Sequence, residues 1–244
     1  MASEYRGPMV ATGASSAAPE GRDRATLGNA ETGILAVLFD FGGVLSASPF
    51  EAFTRYEREQ GLPEGFLRTL NATDHHSNAW ARLERGEVSL ERFAALFEAE
   101  ARMTGHAIDA GEVLGLLGGA PRPVMIEAVR RCRERYLVGL ATNNFVAVKP
   151  AAGVRGASQD GLASVLDLFD EVIESSTLGI RKPEPAFFEA CCARLAIEPH
   201  EAVFIDDLGV NLKPARELGM TTIKFETEEQ AIADLEAALR LRLH

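Results

Sequence analysis

The sequence predicts an α/β protein, a mainly parallel sheet of about five strands split after its first strand by an all-helical insert. Three observations carry that prediction. Ile34 to Phe39 is an unbroken apolar run, too short for a typical helix and bounded by Gly33 and Gly42-Gly43, which fits a strand buried on both faces. Residues 49–121 show only helical periodicity. After Pro121-Arg-Pro123, apolar strand-like runs alternate with helical patterns, the signature of parallel strands joined by helical crossovers.

Residues 1–32 are rich in Ala, Ser, Gly and Thr, without periodicity, and are expected to form a disordered extension. The first strand is expected at 34–40 and ends at Asp40, whose following glycines allow a tight turn and close approach to a ligand. In the insert, Phe50, Phe53 and Tyr56 share one stripe, Trp80 and Leu83 another, and Phe93, Leu96 and Phe97 keep i, i+3, i+4 spacing. Asp109 with Glu112 has the form of a capping box. A compact domain is thus expected from residues 33–48 and 122–244, with a helical cap at 49–121.

A helix near 123–134 leads to the run Tyr136 to Ala141, which ends in Thr142-Asn143-Asn144. A flexible stretch (149–161) and a short helix precede a strand at 170–174. A helix starts at Pro185, a favourable first-turn position. Ala202 to Ile205 is a fourth strand ending in Asp206-Asp207, and Thr221 to Phe225 a fifth. Thr227 with Gln230 forms a second capping box and opens the last helix.

A net charge of −11 argues against nucleic acid or an anionic membrane surface as main partner, though not against a phosphorylated substrate, which a few local cations or a metal can hold. No run approaches 18 apolar residues, so no membrane span is expected. Cys132, Cys191 and Cys192 have no metal-ligand spacing, and two are adjacent, so a disulfide framework is not expected. A reducing, cytoplasmic setting is the simplest reading. Oligomeric state is left open.

Three strands end in polar residues: Asp40, Thr142-Asn143 and Asp206-Asp207. One such acid alone serves equally as a helix or turn cap. In one parallel sheet, however, the ends share an edge, where ligands bind. Three carboxylates gathered there repel, and a hard divalent cation such as Mg²⁺, which prefers carboxylate, water and phosphate oxygens, resolves the conflict. Lys182, one of only four lysines, sits in a Pro-rich turn and can neutralise an acid or grip a phosphoryl oxygen. Thr142 offers a hydroxyl and Asn143 a backbone N–H to transferring oxygens.

In order, Asp40-Phe-Gly-Gly-Val44, Leu140-Ala-Thr142-Asn143, Lys182-Pro-Glu-Pro185 and Phe204-Ile-Asp206-Asp207 resemble the four motifs of the haloacid dehalogenase-like (HAD) hydrolases. The likeness covers roughly 34–226 and is nearest the branch that holds the amino-terminal domain of soluble epoxide hydrolase and the HAD domains fused to acyl-CoA dehydrogenases. It implies a Rossmann-like core with a C1-type cap. It also implies Asp40 as nucleophile, Mg²⁺ held by Asp40, the Gly42 carbonyl and Asp206 with Asp207 supporting, and the phosphoryl group held by Thr142, Asn143 and Lys182.

One departure bears on activity. The resemblance places a general-acid aspartate two residues after the nucleophile, where this chain has Gly42. Losing such a group removes on the order of 10²–10⁴-fold in rate. The substrate then has a good leaving group, as an acyl phosphate has, or the cap supplies an acid, with Asp74-His75-His76 the evident cluster, or catalysis is feeble and the role is binding or regulation. Phosphonate cleavage of the family's type needs a cap lysine, and 49–121 contains none. Dehalogenation uses no metal and has no need of the paired acids, so it is disfavoured. The first expectation is a Mg²⁺-dependent phosphatase acting on a small phosphorylated metabolite.

Overall fold

The computed structural model describes residues 26–143 and 164–243. Five strands, β1 (Ala36–Phe39), β2 (Leu137–Thr142), β3 (Glu171–Glu174), β4 (Ala202–Asp206) and β5 (Thr221–Lys224), form one sheet in the order β3-β2-β1-β4-β5. Every pairing is parallel. The central strand is β1, the apolar run that opens the domain.

That run is apolar throughout because both of its faces are covered. Val37 and Phe39 point into one core with Met125, Val129, Leu235 and Leu239. These come from helices Pro123–Arg133 and Glu228–Leu239. Ala36 and Leu38 point the other way, against Phe187, Phe188, Cys191 and Leu212, which lie on helices Pro185–Leu195 and Gly209–Glu217. At about 25 cal/mol per Å² of apolar surface removed from water, this two-sided burial is the main force holding the sheet.

The insert is all-helical as expected: α1 (Pro49–Glu59), α2 (Phe66–Ala72), α3 (Ala79–Glu84), α4 (Leu90–Met103) and α5 (Ala110–Gly115). It buries an apolar cluster of its own, in which Phe53, Tyr56, Leu83, Phe93 and Phe97 meet. Ser48, Asn78 and Ser89 cap α1, α3 and α4 with their side chains. The box read at Asp109 is half made: its carboxylate accepts from Glu112 N at 2.9 Å, but its own N–H donates to the Tyr56 hydroxyl at 3.2 Å. The box at Thr227 forms in both directions. The two connections to the sheet domain run side by side, with Ala47 N bonded to Ala120 O and Arg122 N to Leu45 O, each at 2.8 Å.

One boundary moves. Residues 26–32, expected within the disordered extension, dock on the domain instead. Gly28 N donates to Arg135 O at 2.6 Å, the Asn29 side chain donates to Leu239 O at 3.1 Å, and Leu27 packs on the second core. Leu27 is a single apolar anchor and gives no periodicity for a sequence reading to detect. Residues 1–25 and the stretch 149–161 lie outside the described residues. Among the described residues, no helix is long and apolar enough to cross a membrane, and the three cysteines are free and buried.

Candidate active site

Because β2, β1 and β4 are neighbours in the sheet, their carboxyl ends bring Thr142, Asp40 and Asp206 side by side. Asp40 continues the β1 ladder, its N–H bonded to Ile205 O at 3.0 Å. Lys182 reaches this edge from the loop before helix Pro185–Leu195 and is only 2% exposed, so it is no solvated surface lysine. Its Nζ lies 2.8 Å from Asp40 Oδ1 and 2.7 Å from Asp206 Oδ2, with the Phe204 ring 5.6 Å away. Ligand oxygens of Asp40, Asp206 and Asp207 all fall within 4.8 Å of one another.

The two adjacent acids are not equivalent. Asp206 is fully buried and accepts from Lys182 Nζ, from Asn211 Nδ2 at both oxygens (3.0 and 3.1 Å) and from Leu208 N at 2.8 Å. One of its four hydrogen bonds comes from the lysine, and the other three fix the carboxylate in place. Asp207 instead leans over the loop that follows Asp40: a Cβ on Gly43, whose φ is +89°, would stand 2.2 Å from Asp207 Oδ2. Only glycine permits that approach. Asp206 and Asp207 thus approach Asp40 from different sides, and both have oxygens within 4.8 Å of it.

Electrostatics follow from burial. Desolvation pushes Asp40 up to about 7, against the pull of Lys182 and with a further push from Asp206. Burial and then Asp206 raise Asp207 to about 6. For Lys182, burial works downward, but the carboxylates of Asp206 and Asp40 outweigh it and keep the ammonium protonated. Acids crowded this way, offering only hard oxygen donors, fit Mg²⁺ and suit neither a soft metal nor a neutral ligand.

Asn143 and Gly42 take places that the sequence did not disclose. The Asn143 side chain clamps the lysine loop, accepting from Lys182 N at 2.8 Å and donating to Lys182 O at 2.9 Å. Thr142 lies 2% exposed at the end of β2. Gly42 stands where a Cβ would meet nothing within 4 Å, so the position has room for the side chain it lacks.

From the cap, Asp74, His75 and His76 lie exposed to solvent. A different cap acid is at the domain junction. Glu84, the last residue of α3, pairs with Arg181 Nη1 at 2.5 Å and accepts from Trp80 Nε1 at 3.1 Å and Asn143 Nδ2 at 3.4 Å. Burial raises it to about 7, opposed first by Arg181. No helical periodicity marks Glu84 as special, so the sequence passed it over.

A family model described as haloacid dehalogenase-like hydrolase matches residues 34–219. The chain belongs to that family. Mouse acyl-CoA dehydrogenase family member 10 is 34% identical over 86% of this chain, and pig bifunctional epoxide hydrolase 2 is 28% identical over 85%. These matches span 19% and 39% of those two proteins, so the chain corresponds to a fraction of each. A protein named phosphatase MT3486 from Mycobacterium tuberculosis is 27% identical over 77% of this chain and 85% of its own length. Among solved structures, the HAD family enzyme bt-2542 of Bacteroides thetaiotaomicron, a variant in complex with magnesium and inorganic phosphate, superposes with a TM-score of 0.55 at 22% identity, covering 79% of this chain and 94% of that one. That likeness shows the same α/β fold.

Proposed function

We propose that this HAD hydrolase is a Mg²⁺-dependent phosphatase that cleaves a small phosphorylated metabolite with a good leaving group, through an aspartyl-phosphate on Asp40. The observation that carries the reading is Lys182 buried between Asp40 and Asp206, with Asp207 completing an oxygen cluster. A structural ion pair needs no third acid, and a second cation would offset the charge that Lys182 leaves.

Asp40, the Gly42 carbonyl and Asp206 would hold the ion with Asp207 supporting, and Asp206 also fixes Lys182. When bound, Mg²⁺ supplies positive charge that offsets the acids and the phosphoryl oxygens. Lys182 orients the Asp40 carboxylate and favours its ionised form against the effect of burial. The free Asp40 oxygen attacks phosphorus, an O–P bond forms, and the bond to the leaving oxygen breaks with its electron pair. Thr142 and the Asn143 N–H stabilise charge on the transferring oxygens. Water then attacks phosphorus, its proton leaves with phosphate, and Asp40 is restored. With glycine at 42, the leaving oxygen departs unprotonated, which favours the carboxylate of an acyl phosphate over an alkoxide. The chemistry is that of a small substrate, with no part for nucleic acid or membrane, and the buried thiols accord with a cytoplasmic setting.

Acetyl phosphate and p-nitrophenyl phosphate, assayed with and without Mg²⁺, test this. Turnover is expected with the ion and is expected to fall on the order of 10³-fold or more in Asp40→Asn. Wild-type protein inactive on a broad phosphorylated panel would overturn the enzyme in favour of a HAD-fold binding or regulatory protein.

A further inference from the structure

We infer that Glu84 is a positioning residue: seated from the cap, it sets the loop that holds Lys182 against the nucleophile. This rests on the hydrolase reading above and extends it to a residue outside the four motifs.

Four contacts converge on one seam. Glu84 Oε2 receives Arg181 Nη1 at 2.5 Å and Asn143 Nδ2 at 3.4 Å. Its other oxygen is fixed by Trp80 Nε1 at 3.1 Å, one helical turn earlier, so the carboxylate has a set orientation. Next in the chain, Arg85 faces Glu184 at 3.8 Å, on the far side of the same loop. Gly86, at φ +69°, lies so close to the chain that a Cβ there would stand 2.5 Å from Ser176 O. Glycine lets the two backbones meet, and Arg85 and Glu184 bracket the loop from outside.

The two residues that Glu84 grips are those that fix Lys182. Arg181 precedes it in the chain. Asn143 binds both its N–H and its carbonyl. A carboxylate on the cap thus completes the hydrogen bonding of a side chain that clamps the catalytic lysine. Cap seating and lysine placement become one event: lifting α3 removes a partner from Asn143 and from Arg181 together. The side chains of Asp74, His75 and His76 lie exposed, and the His76 carbonyl accepts from Arg85 Nη2 at 2.9 Å.

Four variants and three measurements test this. Displacing a catalytic group by about 1 Å costs on the order of 10²-fold, so Glu84→Ala is expected to lower kcat between tenfold and 10²-fold on acetyl phosphate with little change in KM. Glu84→Gln, which keeps an acceptor for Arg181, is expected to restore most of the rate. Arg181→Ala is expected to match Glu84→Ala, and the double variant to be no worse than either, because both act through one contact. Independently of turnover, amide hydrogen exchange at Lys182 is expected to quicken about tenfold in Glu84→Ala protein without substrate. Additive losses, or unchanged exchange at Lys182, would overturn the proposal. So would a Glu84→Gln variant as inactive as Glu84→Ala, with one ionisation gone from its pH–rate profile, since Glu84 would then be a proton carrier. If wild-type protein turns over nothing, the phosphatase reading falls, while the exchange experiment still decides the seam.

Discussion

The sheet domain and the helical cap differ in how they use charge. In the sheet domain the polar residues that matter stand at strand ends, where a parallel sheet gathers residues distant in sequence on one edge. Asp40, Asp206 and Lys182 are buried, with the lysine paired to both acids and Asn211, Leu208 and Phe41 donating to the rest. In the cap, Glu57 is also buried, but it accepts from Gly65 N and Leu67 N at 2.8 and 2.9 Å and ties one helix end to the next. Buried charge in one region is arranged for chemistry and in the other for connection. Glu84 is the cap acid that crosses between them.

That contrast can be broken, and the largest effect is expected at the lysine. Lys182→Met leaves Asp40 and Asp206 buried without their cation, so a loss of about 3–5 kcal/mol is expected in urea unfolding without Mg²⁺. A loss under about 1 kcal/mol, as for an exposed ion pair, would mean that solvent reaches the site.

Gly42→Asp comes next. The position has open space for a Cβ. Turnover of an alkyl phosphate relative to acetyl phosphate is expected to rise on the order of 10²-fold, as a proton donor returns. An unchanged ratio would place the limiting proton transfer elsewhere.

A smaller effect concerns pH. Burial lifts Glu84 from 4.5 to about 7, so between those values the folded state binds more protons than the unfolded chain. This group's contribution to stability therefore falls as pH rises from about 4.5 to 7. In Mg²⁺-saturated protein, wild type is expected to lose melting temperature across that window relative to Glu84→Gln, which has no proton to release. Parallel curves would contradict it.

The smallest effect is expected from neutralising Asp74, His75 and His76 together. All three are exposed, and kcat/KM is expected to change less than about twofold, as surface substitutions away from a site usually do little. A large loss would return the proton donor to that loop.

The sequence by itself determined the sheet, because a strand covered on both faces has to be apolar throughout, and β1 from Ala36 to Phe39 is. It also determined which acids meet, since parallel topology carries strand ends to a common edge whatever the intervening helices do. The insert's helices were legible from the period of Phe93 and Phe97, although that period says only which face is covered. What tertiary structure alone decided were contacts fixed by angle and distance. Asp206 is spent on Lys182 and Asn211 while Asp207 leans on Gly43. Asn143 turns its side chain to the lysine loop, and Glu84 faces the sheet domain. Adjacent aspartates look identical in a sequence, and a carboxylate at a helix end has no marker for what lies opposite. Those differences arise only when the folded chain sets which donors surround each oxygen.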